Sequence, residues 1–237
     1  RYNYKSWEID IISKRIIAWI SNSKLTFEES DSNYKKKFNN IIQKQINHLI
    51  NEIERSEWID DKMIGCAAII LAGLSYQNKS GYLNFGLNLL KKIIKFSFDN
   101  YRFPKSRNIR QLNLYLKYFV LIREWLKESQ NDIPEYIDET IYYLGQAYNL
   151  IWQNNKKNIL FNGNQETNNF EFDNYLERLG YKFKVQNNEI GGYAILNNKK
   201  TSLIMDVGPS PERKFSKDYQ AGSLSFEIIF NGKKLIC

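Results

Sequence analysis

Apolar residues recur at intervals of three and four through the first 155 positions of the chain. That spacing is typical of helices that bury one face. The pattern predicts about six amphipathic helices, over residues 7–20, 34–55, 60–76, 83–98, 108–128 and 134–154. Short polar segments separate them, so we expect consecutive helices to run up and down as antiparallel hairpins.

Apolar and polar positions alternate after about residue 155, and glycine becomes more frequent. The alternation predicts strands over residues 181–185, 191–196, 201–207 and 224–230, with Gly191-Gly192 opening the second strand. Asn231-Gly232 is a strong hairpin signal, and residues 235–237 are the expected return arm. Because the sequence stops inside that arm, we expect the chain to be a fragment of a longer protein.

A helical block followed by a block of strands favours an α+β fold with two domains in series. We place the helical domain at residues 1–157. The second domain, at residues 158–237, is expected to be the first part of an antiparallel β-sandwich.

Composition excludes several classes of protein. With 43% hydrophobic residues, the 237-residue chain can bury a core, which excludes intrinsic disorder. No apolar run approaches the roughly 20 residues of a membrane-spanning helix. Two cysteines and one histidine, His48, provide neither a disulfide framework nor a histidine-rich metal centre. The formal charge of +8 fits an anionic partner, but it also fits the Lys- and Asn-rich composition of an AT-rich genome.

Residues 103–110 carry most of the candidate chemistry. The segment places an amide among cations at the start of a predicted helix, with Lys105, Arg107, Asn108 and Arg110 close together. One interpretation is structural, because Ser106 or Asn108 would cap that helix. The other is functional, because an anchored amide beside guanidinium groups supplies donors and positive charge to a bound carboxylate. The sequence leaves both interpretations open.

The other chemistry-bearing residues have a simpler explanation. His48 lies on a strongly apolar predicted helix, where a structural role is the better interpretation. The same holds for the tryptophans, whose indole rings suit either a packed core or a sugar cleft. They are Trp7, Trp19, Trp58, Trp125 and Trp152.

Several runs are similar in order and spacing to those of one protein family. They are Ser106-Arg107-Asn108, Leu160-Phe161-Asn162-Gly163, and residues 191–196, 202–209 and 221–227. The last three resemble the sheet-domain core of heparinase II/III family proteins. The first two resemble the preceding stretch in the bacterial branch of that family. The resemblance covers about residues 90–237 well. For the first helices it extends only to their general helical character.

The resemblance implies an incomplete (α/α) toroid followed by an antiparallel β-sandwich that is truncated at its C-terminus. It also implies a polysaccharide lyase, which cleaves the glycosidic bond next to a uronic acid by β-elimination. An amide and a cation neutralise the uronate carboxylate, and a tyrosine or histidine removes the neighbouring C5 proton. The implied partner is an acidic polysaccharide such as a glycosaminoglycan. The implied location is the periplasm, with the cytoplasm as the alternative.

The resemblance also implies roles for individual residues. Asn108 matches the carboxylate-neutralising amide, with Arg107 as its cationic neighbour. Tyr148 and Tyr175 both stay open as the catalytic tyrosine. Further substrate contacts are expected from Lys105, Arg110, Asn162 and Gln220.

The chain departs from the family at the stretch Asp218-Tyr219-Gln220-Ala221, where active lyases carry a His-x-His-Ala-like run. Gln220 has no basic group for use near neutral pH, so we predict neither a metal nor another cofactor. The departure keeps a second function open, a non-catalytic acidic-glycan-binding or envelope-associated protein on the same scaffold. A nucleic-acid partner is not predicted, because the chain has no recognised binding motif. The oligomeric state stays open.

Overall fold

A computed structural model describes residues 4–76, 80–153, 159–165, 169–185, 187–220 and 222–236. The chain divides into two compact units. Unit 1 comprises Arg1–Phe96 and Val120–Ile133, and unit 2 comprises Ser97–Phe119 and Pro134–Cys237. The domain division predicted between residues 157 and 158 lies outside the described residues and stays a prediction.

Eight α-helices are present in the described part of the chain. They are α1 (Ile9–Ser21), α2 (Ser23–Thr26), α3 (Ser32–Glu52), α4 (Ile59–Ser75), α5 (Ser80–Ser97), α6 (Ile109–Glu128), α7 (Glu135–Tyr148) and α8 (Phe170–Arg178). The six predicted helices are confirmed as α1 and α3 to α7. A π-helical turn, Asn149–Gln153, continues α7, and Asn154, the predicted end of that helix, lies outside the described residues. No helix among the described residues is long and apolar enough to span a membrane.

The core of unit 1 forms around α4, which is apolar on all sides and buried from Met63 to Gly73. Two glycines allow α5 to approach it closely. A Cβ atom at Gly73 would lie 2.5 Å from the backbone nitrogen of Leu83, and one at Gly86 would lie 2.6 Å from Ile70 Cγ1. A larger residue at either position would force the two helices apart.

Strands follow the helices in unit 2 and form one five-stranded antiparallel sheet, in which consecutive strands are neighbours. They are β1 (Glu189–Ile190), β2 (Tyr193–Asn197), β3 (Thr201–Asp206), β4 (Phe226–Phe230) and β5 (Lys233–Ile236). Asn231 and Gly232 have positive φ angles of 48° and 73°, which confirms the predicted hairpin between β4 and β5. Cys237 lies outside the described residues.

The Gly191-Gly192 pair corrects one prediction, because it is a turn and not the opening of a strand. Both glycines have positive φ, 57° and 80°, and Ile190 pairs with Tyr193 across them. This two-residue turn joins β1, which was not predicted, to β2. A Cβ atom at Gly192 would lie 2.7 Å from Arg107 Nη2, so a glycine is required where the guanidinium approaches the backbone.

Residues 181–185 correct a second prediction, because they form no strand. The ring of Phe183 packs against Gly145 of α7, and its carbonyl accepts a hydrogen bond from Asn149 Nδ2. The end of α7 therefore holds this backbone, and the alternation of apolar and polar side chains arises from packing against α7 and not from a strand. Just before this segment, α8 occupies a stretch for which the sequence predicts no periodicity.

Candidate functional site

Hydrogen bonds within residues 99–107 fix the turn that precedes α6. Asp99 Oδ1 accepts from the backbone N–H groups of Tyr101 and Phe103 at 2.9 and 2.8 Å. The N–H of Arg107 donates to the carbonyl of Pro104 at 2.8 Å. Arg107 itself has a φ of +57°, a conformation that is uncommon for a non-glycine residue and that persists only where tertiary contacts hold it.

Those contacts come from the sheet, because the side chain of Arg107 points inward and is 6% exposed. Its guanidinium donates to the carbonyls of Gly191, Gly192 and Pro209 at 3.0, 2.9 and 2.8 Å. Nη2 also pairs with Asp206 Oδ1 at 2.5 Å. Asp206 is fully buried, so this is a buried ion pair whose charges are also bound by backbone groups.

Asn162 and Tyr193 complete this buried cluster. Asn162 Nδ2 donates to the Tyr193 hydroxyl at 2.5 Å and to Asp206 Oδ2 at 3.1 Å. The Tyr193 hydroxyl donates to the carbonyl of Arg107 at 2.5 Å. Burial raises the pKa of Tyr193, although Asn162 and Arg107 act in the opposite direction. We call Arg107, Asn162, Tyr193 and Asp206 the tether, because they join the turn before α6 to the sheet.

Asn108 is adjacent to Arg107 and faces a different environment. Its Oδ1 accepts from the backbone N–H groups of Arg110 and Gln111 at 2.9 and 3.4 Å, so Asn108 caps α6. Its Nδ2 donates to Asp218 Oδ2 at 3.1 Å. The structural interpretation, in which Asn108 caps α6, is therefore confirmed. The nitrogen of the same amide also binds a carboxylate.

A small group of residues surrounds that amide, and we call Asn108, Arg110, Gly163 and Asp218 the rim. Arg110 Nη2 lies 3.8 Å from Asp218 Oδ2, and both side chains are about half exposed. Gly163 has a φ of +76°, and a Cβ atom there would lie 2.7 Å from Asp218 Cβ and 3.4 Å from Asn108 Nδ2. The absence of a side chain at Gly163 thus allows Asp218 to lie close to this residue and beside the Asn108 amide.

Tyr148 lies in surroundings that do not favour its predicted role as a base. It is 0% exposed, and its hydroxyl donates to Asp173 Oδ1 at 2.9 Å. Burial and the Asp173 carboxylate raise the pKa of Tyr148, whereas a tyrosine base needs a lowered pKa. Asp173 also accepts from Trp152 Nε1 at 2.8 Å, so these residues join α8 to the end of α7.

The structure distributes the other predicted substrate contacts over different surroundings. Asn162 is 1% exposed and belongs to the tether. Lys105 places Nζ 5.6 Å from the centre of the Phe215 ring. Tyr175 is partly exposed on α8, with Arg178 over its ring at 5.4 Å, and Gln220 is exposed in the loop that carries Asp218. Arg107 and Asn162 converge on the buried carboxylate of Asp206, whereas Asn108 and Arg110 converge on the half-exposed carboxylate of Asp218.

Sequence reasoning did not select Asp218, Tyr193 or Asp206 as site residues. Asp218 occupies the stretch that departs from the family run, and the most evident feature of that stretch is its lack of histidine. Tyr193 and Asp206 lie on the resembling strands, and their pairing across β2 and β3 places both on the buried face. A charged residue at an inward strand position is a signal for such a buried pair.

Comparison with known proteins identifies the C-terminal part of the chain. Residues 186–237 match the sequence model of the family described as Heparinase II/III-like, C-terminal. None of the curated proteins compared with the chain matches it in sequence.

Solved structures share the fold over nearly the whole chain. A structure of heparinase III superposes with a TM-score of 0.77 at 16% identity, over 97% of this chain and 42% of its own. The heparinase III BT4657 gene product gives 0.76 at 17% identity, over 97% and 40%. Heparan sulfate lyase HepC from Pedobacter heparinus gives 0.72 at 15% identity, over 96% and 40%. The chain therefore spans about two fifths of the length of these structures.

At these identities the superpositions establish the fold alone, and that fold is the toroid followed by a sheet domain that the resemblance implies. The sequence match and the fold together confirm the resemblance: residues 186–237 match the model of the heparinase II/III-like C-terminal family, and the chain has the fold of heparinase III.

Proposed function

We propose that Asn108 and Arg110 bind the carboxylate of a uronic acid unit in an acidic polysaccharide, and that the protein to which the chain belongs is a lyase that cleaves this polymer by β-elimination. The family match and the heparinase III fold support a polysaccharide lyase. The neighbour named as a heparan sulfate lyase supports an acidic polymer as the substrate.

The observation that carries the proposal is the carboxylate already bound at the rim. Asp218 Oδ2 accepts from Asn108 Nδ2 at 3.1 Å and lies 3.8 Å from Arg110 Nη2. An amide donor and a guanidinium that converge on one oxygen form a site with the chemistry that a uronate requires. The Asp218 side chain belongs to an exposed loop, so a substrate carboxylate is able to take its place.

The reaction needs this charge neutralisation. A base removes the C5 proton of the uronate, the electron pair forms a C4–C5 double bond, and the C4–O bond breaks. The leaving oxygen then takes up a proton. An ionised carboxylate disfavours the carbanion that develops at C5, and donors aimed at the carboxylate lower that barrier. Donors in the position of Asn108 Nδ2 and Arg110 Nη2 supply this stabilisation.

Two tyrosines are candidates for the base. Tyr219 follows Asp218 in the same exposed loop, and its hydroxyl lies 3.2 Å from both Ser210 Oγ and Ser223 Oγ. Tyr175 is the sequence candidate that keeps partial exposure. Replacing each tyrosine by Phe distinguishes the two candidates. The variant that lacks the catalytic phenol should lose turnover while it keeps its affinity for the substrate.

The carboxylate site is tested by removing the internal carboxylate. Asp218→Ala is expected to raise the affinity for glucuronate oligosaccharides several-fold, measured by calorimetry, because the ligand no longer competes with Asp218. Glu212→Gln removes a charge from the same loop outside the rim and is expected to leave the affinity unchanged. A lower affinity in Asp218→Ala would contradict the proposal that Asp218 occupies the substrate position.

Lyase activity is tested separately with uronate polysaccharides and the ultraviolet absorbance of the unsaturated product. A rise in absorbance that disappears in Tyr219→Phe or Tyr175→Phe would support elimination and identify the base. Binding to the polysaccharides without any product would support the alternative function, an acidic-glycan-binding protein. The exposed Gln220 amide favours that alternative, because it has no basic group where the family run has histidine.

A further inference from the structure

Unit 1 contains an open cleft that is separate from the residues of the tether and the rim. Its volume of about 1060 Å³ is slightly above the usual range of small-molecule sites. The lining comes from the start of α1, one face of α3 and the start of α4: Trp7, Glu8, Ile9, Asp10, Lys44, His48, Glu52, Arg55, Ser56, Trp58 and Asp61.

Two tryptophans give the cleft an aromatic surface. Trp58 is 56% exposed, which is high for an indole ring in a folded protein. Its backbone N–H donates to Ser56 Oγ at 3.2 Å, which fixes the residue at the start of α4. Trp7 packs edge-on against His48, with ring centres 4.9 Å apart. The expectation that the tryptophans pack in the core is therefore wrong for Trp58.

The charge of the cleft is opposite to that of the chain. Four carboxylates line it against two cationic side chains, although the whole chain carries a formal charge of +8. One of the cations, Arg55, is paired with the cleft's own Glu52 at 2.9 Å. Burial and the nearby carboxylates of Asp10 and Asp60 raise the pKa of Asp61.

Aromatic rings and carboxylates select a ligand that has both an apolar face and a positive charge. Indole rings stack on the C–H face of a pyranose and also attract cations. Carboxylates at the first turns of α1 and α4 are favoured by the helix dipoles and bind ammonium groups. A divalent metal does not fit, because the described residues contain no cluster of three or more metal-ligating side chains.

We infer that this cleft binds an amino sugar with a free ammonium group, the ring stacked on Trp58 and the ammonium bound by Asp61. A volume of about 1060 Å³ has room for a short oligosaccharide, so a glucosamine trimer is a suitable probe of the cleft. The inference rests on unit 1 alone and is independent of the uronate site.

The test is a titration of the full chain with a glucosamine trimer, followed by tryptophan fluorescence and calorimetry. Binding is expected, and N-acetylation of the trimer should weaken it at least ~10-fold because the positive charge is lost. Trp58→Ala and Asp61→Asn should each weaken it ~10-fold or more. Trimer binding that is absent, or equal for the acetylated trimer, would overturn the inference.

Three matched variants separate a local effect from a general one. Trp19→Ala removes another partly exposed indole, and Glu29→Gln removes an exposed negative charge outside the cleft. Asn108→Ser alters the proposed uronate site. All three are expected to bind the trimer as the unaltered chain does. A loss of binding in Trp19→Ala or Glu29→Gln equal to that in the cleft variants would contradict the assignment to this cleft.

Discussion

Arg107 and Asn108 are adjacent in the chain, yet the tether and the rim use them in opposite ways. The guanidinium of Arg107 is buried and bonded to three carbonyls and to Asp206. The two polar atoms of the Asn108 amide have different partners. The oxygen accepts a hydrogen bond in the helix cap, and the nitrogen donates to the carboxylate of Asp218. A cation next to an amide in the sequence therefore does not make a joint binding site.

The difference between them follows from the backbone. Arg107 has a positive φ, which directs its side chain toward the sheet, while Asn108 immediately precedes α6 and takes the position of its cap. The cation that accompanies Asn108 at the rim is Arg110, two residues later, and its guanidinium remains about half exposed. Burial and the number of partners distinguish a structural arginine from a binding one.

The largest expected effect is at the tether. Arg107→Ala leaves Asp206 buried without its counter-ion, so the free energy of unfolding should fall by about 3–5 kcal/mol. Urea denaturation measures it. Arg110→Ala is the matched control at the rim and should change stability by less than about 0.5 kcal/mol. A stable Arg107→Ala variant that loses only glycan binding would contradict the structural role of Arg107.

The buried tyrosines predict a loss of stability in alkaline solution. The pKa of both Tyr148 and Tyr193 is raised in the folded chain, while an unfolded tyrosine titrates near pH 10. Below that pH both states keep the proton and the contribution is complete. As the pH rises above it, the unfolded state loses protons first, so each tyrosine costs up to about 1.4 kcal/mol per pH unit. Urea denaturation at a series of pH values from about 9 to about 11 measures this slope.

Tyr148→Phe separates the contribution of one phenol from general alkaline unfolding. The variant should lose stability less steeply with pH, because one titrating group has been removed. An unchanged slope would show that Tyr148 titrates alike in both states, and would contradict its burial against Asp173.

Much of the architecture was accessible from the sequence. Periodicities of three to four and of two predict α1, α3 to α7 and most of β2 to β4, because those elements bury one face or are buried throughout. The errors fall where tertiary contacts decide the structure. Phe183 alternates with polar neighbours but packs against Gly145, and α8 is short and held through Asp173 to Tyr148.

The rim offers a smaller effect that isolates one contact. Gly163→Ala introduces strain at a φ of +76° and also places a Cβ atom 2.7 Å from Asp218 Cβ. Gly232→Ala has the same kind of strain, at a φ of +73°, with no atom within 4 Å of the new Cβ. We expect Gly232→Ala to cost about 1 kcal/mol and Gly163→Ala roughly 1 kcal/mol more, measured by urea denaturation. Equal costs would show that Asp218 moves away freely.

The candidate site was only partly accessible from the sequence. The turn at residues 103–110 was recognisable because it gathers polar and charged groups at a helix start, and the resemblance selected Asn108. Which cation stays at the surface depends on the positive φ of Arg107 and on the carbonyls that the sheet presents. Asp218 is 110 residues away from Asn108, so no local pattern predicts their contact.

The central claim is that the nitrogen of the Asn108 amide binds a carboxylate independently of its oxygen, which caps α6. Asn108→Ser tests it most directly, because a serine hydroxyl also caps a helix but does not supply the amide donor at the same position. Asn108→Ala should lose about 1 kcal/mol of stability, while Asn108→Ser should keep nearly all of it. The decisive measurement is the affinity of Asn108→Ser for a glucuronate oligosaccharide. The account predicts a loss of ~10-fold or more at an unchanged melting temperature. Unchanged affinity in a folded Asn108→Ser variant would contradict it.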